Sequence, residues 1–356
     1  MSSLAERLAA RTLELVDIPS ESLHEEKICA HVRSLVPAEL PCLYEDADAA
    51  FWAPPRRTDT PLVVLAGHYD TVPAQGNLPG RVEGGWVHGL GSADMKGGVA
   101  VAIELVRELM TLEPKPIDVG LLLFGKEELP ASFNPLPRAF ERAPHLGGAE
   151  LAILLEPSAG AIHAGCVGTL IATVRFDGVS GHSARPWLAD NALERAVLGL
   201  GRIASLGRRE SVVGGLPFYE TVTLTRLDAG IAANVVPDVA LATVNLRYPP
   251  DRAPEDAIEL LRSLLPGDAV VEVVGNSPPG RVVSDTPLVR GLLEAGARGI
   301  EPKQAWTNVA DFTTRGIDAI NFGPGDPVFA HRRDERVEIA ALVETYETLR
   351  RLLHPD

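Results

Sequence analysis

Two histidines and five acidic residues recur at the ends of apolar runs in this 356-residue chain. His68 and Asp70 sit two apart in "PLVVLAGHYDTVP". Asp94 lies in "GLGSADMKGG", Glu127 and Glu128 in "LLFGKEELP", Glu156 in "LLEPS", and His331 in "NFGPGDPVFAHRRDE". Taken singly these are bland: an HxD at a strand end is a polar turn, and paired glutamates are a solvated face. Taken together they are not. Five carboxylates at one edge repel one another and do not all ionise cheaply unless a cation compensates. Imidazole mixed with carboxylate suits zinc, cobalt or manganese better than magnesium or calcium. One bridging carboxylate, with one carboxylate and one histidine on each of two ions, uses Asp94 as the bridge. His68 with Glu156 then serves one ion, and Glu128 with His331 the other. Asp70 is left beside His68, placed to accept its second ring N–H and fix its tautomer. Glu127 is left beside a ligand, free to act as a general base towards water.

The elements that must position these groups are also legible. "LVVLAG" (62–67), "DVGLLLFG" (118–125) and "LAILLE" (151–156) are near-continuous apolar runs, as strands buried on both faces should be. Between the first two, Val99, Ile103, Val106 and Met110 repeat at helical spacing, so strand, helix, strand gives a βαβ unit and a mostly parallel sheet. In such sheets ligands bind beyond the carboxyl ends of the strands, where the acidic and imidazole groups fall. At the N-terminus, Leu4, Leu8 and Leu15 share one helical face.

The texture changes near residue 166. "TLIATVRFDG" alternates. A helix follows in "DNALERAVLGLGRI", with Asp190 as its N-cap and Leu193, Val197, Leu200 and Ile203 on one face. Then come "YETVTLTRLDAG", "DVALATVNLRY", a helix "PEDAIELLRSLL" and a strand "AVVEVVG". The order β-α-β-β-α-β is that of a small two-layer α+β sandwich. The α/β texture resumes after a Gly/Pro-rich exit. The expected organisation is therefore a discontinuous domain of residues 1–165 and 278–356 with an inserted domain of residues 166–277.

Hydrophobic residues make up 46% and charged residues 23% of the chain, an ordinary globular profile. A formal net charge of −15 argues against nucleic acid as a partner. Cys29, Cys42 and Cys166 form no disulfide or thiolate-zinc pattern, so a reduced, cytoplasmic chain is the expectation. The first residues, "MSSLAERLAARTLELV", read as neither a signal peptide nor a membrane span.

The motifs "GHYDTVP", "GLGSADMKGG", "EE", "EP" and "AHRRDE", in that order, resemble those of the co-catalytic zinc aminoacylase and carboxypeptidase family. That family includes glutamate carboxypeptidases, acetylornithine deacetylases and succinyl-diaminopimelate desuccinylases. "GVSGHSARPWLADNALERA" and "ANVVPD" extend the resemblance into the inserted domain, so that it spans essentially the whole chain. It implies a catalytic domain of zinc-peptidase type and two zinc ions, replaceable by cobalt or manganese. His68 and Glu156 would hold one ion, Glu128 and His331 the other, with Asp94 bridging, Glu127 as base and Asp70 orienting His68. It also implies a homodimer formed through the inserted domain, in which His182 crosses to the partner's reacting carbonyl. Asn234, Arg247 and Thr307 match substrate-binding positions.

"HSARPWLADNA", "WTNVADF" and "NFGPGDPVFAHRRDE" look most like the succinyl-diaminopimelate desuccinylases of high-GC Gram-positive bacteria. The implied reaction is hydrolysis of N-succinyl-LL-2,6-diaminopimelate to succinate and LL-2,6-diaminopimelate. In the segment after Thr307 that group more often has an aspartate and an arginine where this chain has Asn308 and Asp311. Deacylation of acetylornithine or another N-acyl amino acid, and dipeptidase or carboxypeptidase activity, are alternatives of the same class. A non-catalytic metal or amino-acid binding protein is the alternative of another class, and the complete ligand set with Glu127 counts against it.

Overall fold

The computed structural model describes residues 3–355. The chain forms two compact units. The first comprises the residues up to Gly165, Val283–Glu301 and those from Asn308 onwards; the second comprises Cys166–Val282 and Pro302–Thr307.

The first unit is built on a mixed sheet whose four central strands are parallel. Asp118–Phe124, Leu62–His68, Leu151–Pro157 and Asp318–Gly323 lie side by side in that order. All seven residues of Leu62–His68 and of Leu151–Pro157 are buried, as their unbroken apolar runs require of strands covered on both faces. Antiparallel strands flank the parallel core. Cys42–Glu45 and Ala49–Trp52 form a hairpin on one side, and Ile162–Ala164 pairs with Asp318–Gly323 on the other. Parallel neighbours need a crossover. Helix Gly97–Leu109 supplies it between Leu62–His68 and Asp118–Phe124, and it packs beside the N-terminal helix Leu4–Val16 and the C-terminal helix Ile339–Leu353. Ser3 opens the N-terminal helix with a reciprocal cap to Glu6, and Leu8 and Leu15 are fully buried.

Register decides what lies at the carboxyl edge. His68 is opposite Phe124, and Ala66 is opposite Leu154. Two residues on from each, His68 and Glu156 therefore reach the same level, and the chain leaving Phe124 delivers Glu127 and Glu128 there. Two glycines set the depth of the central strand. A Cβ on Gly98 would lie 2.3 Å from the Leu155 carbonyl oxygen, and one on Gly323 would lie 2.1 Å from the same atom. The crossover helix and the neighbouring strand both close onto Leu155 because neither has a side chain there.

The second unit is a five-stranded antiparallel sheet in the order Arg209–Val213, Leu216–Ala229, Val239–Tyr248, Gly168–Asp177, Val270–Ser277. Helices Ala192–Gly199, Gly201–Ala204 and Pro254–Ser263 cover one face. The β-α-β-β-α-β expectation lacks one strand, Arg209–Val213, which forms a hairpin with Leu216–Ala229. Two local readings also need correction. Asn191, not Asp190, caps the first helix, its Oδ1 accepting the Leu193 and Glu194 N–H groups. That helix also carries apolar residues on its outer side, beside Glu194 and Arg195. The face turned to the sheet carries Ala192, Ala196, Leu200 and Ile203, while Val197 and Leu198 are 59% and 82% exposed. Small alanines win the inner face because the sheet lies close against it.

Candidate active site

The structure brings His68, Asp94, Glu127, Glu128, Glu156 and His331 into one cluster at the carboxyl edge of the first unit's sheet. Asp94 is its centre. It lies in the turn Ser92–Lys96 that enters the crossover helix, with extended backbone angles (φ −122°, ψ 96°) that interrupt the helical path. One carboxylate oxygen, Oδ1, is 3.1 Å from His68 Nε2; the other, Oδ2, is 3.4 Å from His331 Nε2. His68 Nε2 is also 3.8 Å from Glu156 Oε1 and 3.9 Å from Glu127 Oε2. His331 Nε2 is 2.9 Å from Glu128 Oε1. His68 is buried, whereas the His331 side chain is 50% exposed and its backbone is left-handed (φ 60°). Histidine is among the residues enriched in that region.

These spacings suit a bound divalent metal. Donors bonded at about 2.0–2.1 Å around a tetrahedral zinc stand about 3.3 Å apart, and the contacts among the candidate ligands run from 2.9 to 3.8 Å. Donor atoms of His68, Asp94 and Glu128 all lie within 4.8 Å of one another. Burial lowers the His68 pKa, but hydrogen bonds to Asp70 and Asp94 outweigh it and hold the imidazolium well above its usual range. Hydrogen bonds to Asp94 and Glu128 push His331 up to about 11. Burial pushes Asp94 upward, yet its bonds to His331 and His68 keep the carboxyl below the usual range. Glu127 goes the other way. Burial raises it well above the carboxylate range; His68 pulls it back and Glu156, Glu128 and Asp94 push it further up. A half-buried carboxyl with raised proton affinity, beside the His68 and Asp94 cluster, suits a general base.

Asp70 does more than face His68. Its side chain is fully buried, with Oδ1 3.3 Å from His68 Nδ1. The Glu127 N–H donates to Oδ1 at 3.1 Å, the Glu128 N–H to Oδ2 at 3.2 Å, and Ser22 Oγ to Oδ2 at 2.7 Å. One carboxylate thus holds the His68 imidazole and the backbone of both glutamates. The segment that delivers His331 is also held. Arg336 lies over the rings of Trp86 and Phe329, at 5.1 and 4.5 Å from their centroids. Glu335 Oε1 accepts the N–H groups of Ala93 and Asp94, each at 3.1 Å.

The sequence profile described as peptidase family M20/M25/M40 matches residues 64–354. This chain belongs to that family. Among its M20 relatives, a Corynebacterium glutamicum protein named succinyl-diaminopimelate desuccinylase is 36% identical over 352 residues, covering 96% of this chain and 95% of that one. A Mycobacterium tuberculosis protein carrying the same name is 37% identical over 345 residues, 96% of each chain. Among solved structures, an M20 family metallo-carboxypeptidase from Sulfolobus solfataricus superposes with a TM-score of 0.80 at 18% identity, covering 97% of this chain and 98% of that one. An aminopeptidase from Bacillus cereus gives 0.79 at 19% identity and 98% of each. At such identities the two structures speak for the M20 fold alone, an α/β unit with an inserted one.

The remaining residues singled out in the sequence of this M20 chain divide between the units. Asp311, in the first, is not presented to solvent. Its side chain is 11% exposed, and its Oδ2 accepts from Asn134 Nδ2 at 2.9 Å and Asn308 Nδ2 at 2.8 Å. Asn134 closes the segment that begins with Glu127 and Glu128, so this network ties that segment to helix Val309–Thr313. Burial raises the Asp311 carboxyl, partly offset by the two asparagines. His182, Asn234, Arg247 and Thr307 belong to the second unit. His182 is exposed and pairs with Val235 across a short two-stranded ladder, which sets Asn234 beside it. The Ser183 N–H donates to the Asn234 carbonyl at 3.0 Å. Arg247 is half-buried, its Nε donating to Asn245 Oδ1 at 3.0 Å, and burial lowers its pKa. Thr307 is buried, and its carbonyl accepts from the Cys166 thiol at 3.6 Å. Ser22, Asn134 and Glu335 went unread in the sequence. Each acts on a segment 48 to 241 residues away, and no local spacing signals that.

Proposed function

We propose that this chain is a metal-dependent hydrolase of linear amides that converts N-succinyl-LL-2,6-diaminopimelate into succinate and LL-2,6-diaminopimelate. The split carboxylate of Asp94, one oxygen on each of two imidazoles with Glu127 alongside, carries the hydrolase reading. The substrate follows the two relatives that match over nearly the whole chain and bear that desuccinylase name. In this reading His68 and Glu156 would hold one zinc and Glu128 and His331 the other, with Asp94 shared between them, and cobalt or manganese would substitute. Divalent cations held there supply positive charge that polarises the amide carbonyl and makes water more acidic. Glu127 takes a proton from the attacking water as its oxygen bonds to the carbonyl carbon. It passes that proton to the departing nitrogen as the C–N bond breaks. Asp70 keeps His68 in the tautomer that presents Nε2 and keeps Glu127 at the reacting edge.

The reading extends to the second unit. Asn234, Arg247 and Thr307 would bind the substrate, the guanidinium pairing with one of its carboxylates. His182 of the partner subunit would reach the reacting carbonyl in a homodimer. The exposed Trp187, Leu188, Val197 and Leu198 of the second unit support such an interface. A cytoplasmic setting belongs to the same reading, supported by three free cysteines.

The deciding experiment compares kcat/KM for succinyl-diaminopimelate, acetylornithine and simple dipeptides, with zinc supplied. The succinyl compound should lead by at least tenfold; a dipeptide in first place would refute the substrate assignment. Glu127→Gln should lower kcat by about 10²–10⁴ while zinc content stays at the parent level, and retained activity would remove Glu127 from its role.

A further inference from the structure

Glu335 reaches the bridging carboxylate from behind. It is 2% exposed, and it grips the segment before the crossover helix at two points. Its backbone carbonyl accepts the Gly89 N–H at 3.0 Å. Its side-chain Oε1 accepts the consecutive N–H groups of Ala93 and Asp94, both at 3.1 Å. The residues that follow continue the attachment as a β-ladder, with Arg336 opposite His88 and Val337 opposite Val87. Four residues upstream, the same segment carries His331. The stretch that delivers one ligand therefore also holds the main chain of another.

We propose that Glu335 is a positioning residue that couples Asp94 to His331. By fixing the Ala93 and Asp94 amides it aims Asp94 Oδ2 at the His331 side of the centre. Without it the Asp94 turn, whose backbone departs from helical angles at Asp94 and Met95, loses the carboxylate that accepts its Ala93 and Asp94 amides. The ion shared by Asp94, Glu128 and His331 is then held less tightly than the one on the His68 side. His331 is the more exposed imidazole, so its ion depends more on support from behind. This inference rests on the two-cation reading above.

The test measures zinc binding rather than turnover. Metal-free parent and variants are titrated against a chromogenic chelator, with an unfolding curve for each. Glu335→Gln keeps an acceptor oxygen at the same reach and should stay within a few-fold of the parent. Glu335→Ala should bind the weaker zinc about 10–100-fold less tightly and leave the tighter one nearly unchanged. Glu335→Asp keeps the charge but withdraws the oxygen, and should resemble the alanine variant; it decides the matter if the alanine variant does not fold. Zinc affinity within threefold of the parent in both Ala and Asp variants overturns the inference. So does a Gln variant as weak as Ala beside an Asp variant at parental affinity, which would make charge rather than reach the cause. A parent that binds no zinc overturns the metal reading and this inference with it, whereas a binding parent with indifferent variants overturns the inference alone.

Discussion

Replacing Asp70 by asparagine removes one oxygen from a carboxylate that accepts on both. Oδ1 faces the Glu127 N–H and His68 Nδ1; Oδ2 faces the Glu128 N–H and Ser22 Oγ. Asparagine offers one oxygen and one NH₂ group. In either orientation its NH₂ is set against a backbone N–H, at Glu127 or at Glu128. If it points to the Oδ2 position, the serine hydroxyl turns and accepts; the Glu128 N–H cannot. An orphaned buried donor costs about 1–3 kcal/mol. The loss of an orienting carboxylate behind a metal-binding imidazole lowers affinity about 10–100-fold, or about 1.4–2.8 kcal/mol. Asp70→Asn should therefore lower the unfolding free energy of the metal-free protein by about 1–3 kcal/mol, seen as a lower urea midpoint, and zinc affinity by about 10–100-fold. The assays are urea unfolding followed by circular dichroism and a chelator competition, run on the same preparation. An Asp70→Asn protein with parental zinc affinity and an unchanged midpoint would show that the hub is decorative.

Further outcomes follow from the same geometry. Ser22→Ala removes a single hydroxyl donor from a carboxylate that keeps its other partners. It should lower the unfolding free energy in urea titrations by about 1 kcal/mol and reduce zinc affinity less than Asp70→Asn does, and the double variant should fall short of the sum. Stripping the metal should abolish turnover and lower the unfolding midpoint, while zinc at a hundred times its dissociation constant should restore about 2.7 kcal/mol per site; calorimetry with and without chelator reads both. Asp311→Asn should change how stability depends on pH. Burial raises the folded-state carboxyl, so the folded protein holds its proton more tightly than the unfolded chain does, whose pKa is about 3.9. The parent therefore loses stability as pH rises from there through the folded value. The asparagine variant does not, and its stability relative to the parent should increase between pH 4 and pH 7 in urea titrations.

The parallel core was plain in the sequence because strands buried on both faces leave unbroken runs such as "LVVLAG" and "LAILLE". Polar residues that interrupt such runs at one end have few places to go but the sheet's edge. That is why His68, Asp94, Glu127, Glu128, Glu156 and His331 were all picked out. The flanking hairpin Cys42–Glu45 with Ala49–Trp52 was not read, since four-residue strands are too short for a period. The outer face of helix Ala192–Gly199 misled for another reason. Leucine and valine there face outward, and alanine, which carries little pattern signal, faces in. Ser22, Asn134 and Glu335 are ordinary polar residues until the fold sets them against Asp70, Asp311 and Asp94.

The pinch on Leu155 bears on how this protein can change. Its carbonyl oxygen is approached from the helix by Gly98 and from the next strand by Gly323, and the residue that follows is Glu156. A map of tolerated substitutions should therefore not be graded by distance from the chemistry alone. Gly147, Gly201 and Gly267 have open space around them and should accept many replacements. At Gly98 and Gly323 even a methyl group meets main chain, and the displacement it forces is passed directly to Glu156. Drift in substrate preference has room in the loops and in the second unit. The middle of the sheet offers it none, and lineages that diverge in substrate should still carry glycine at these two places.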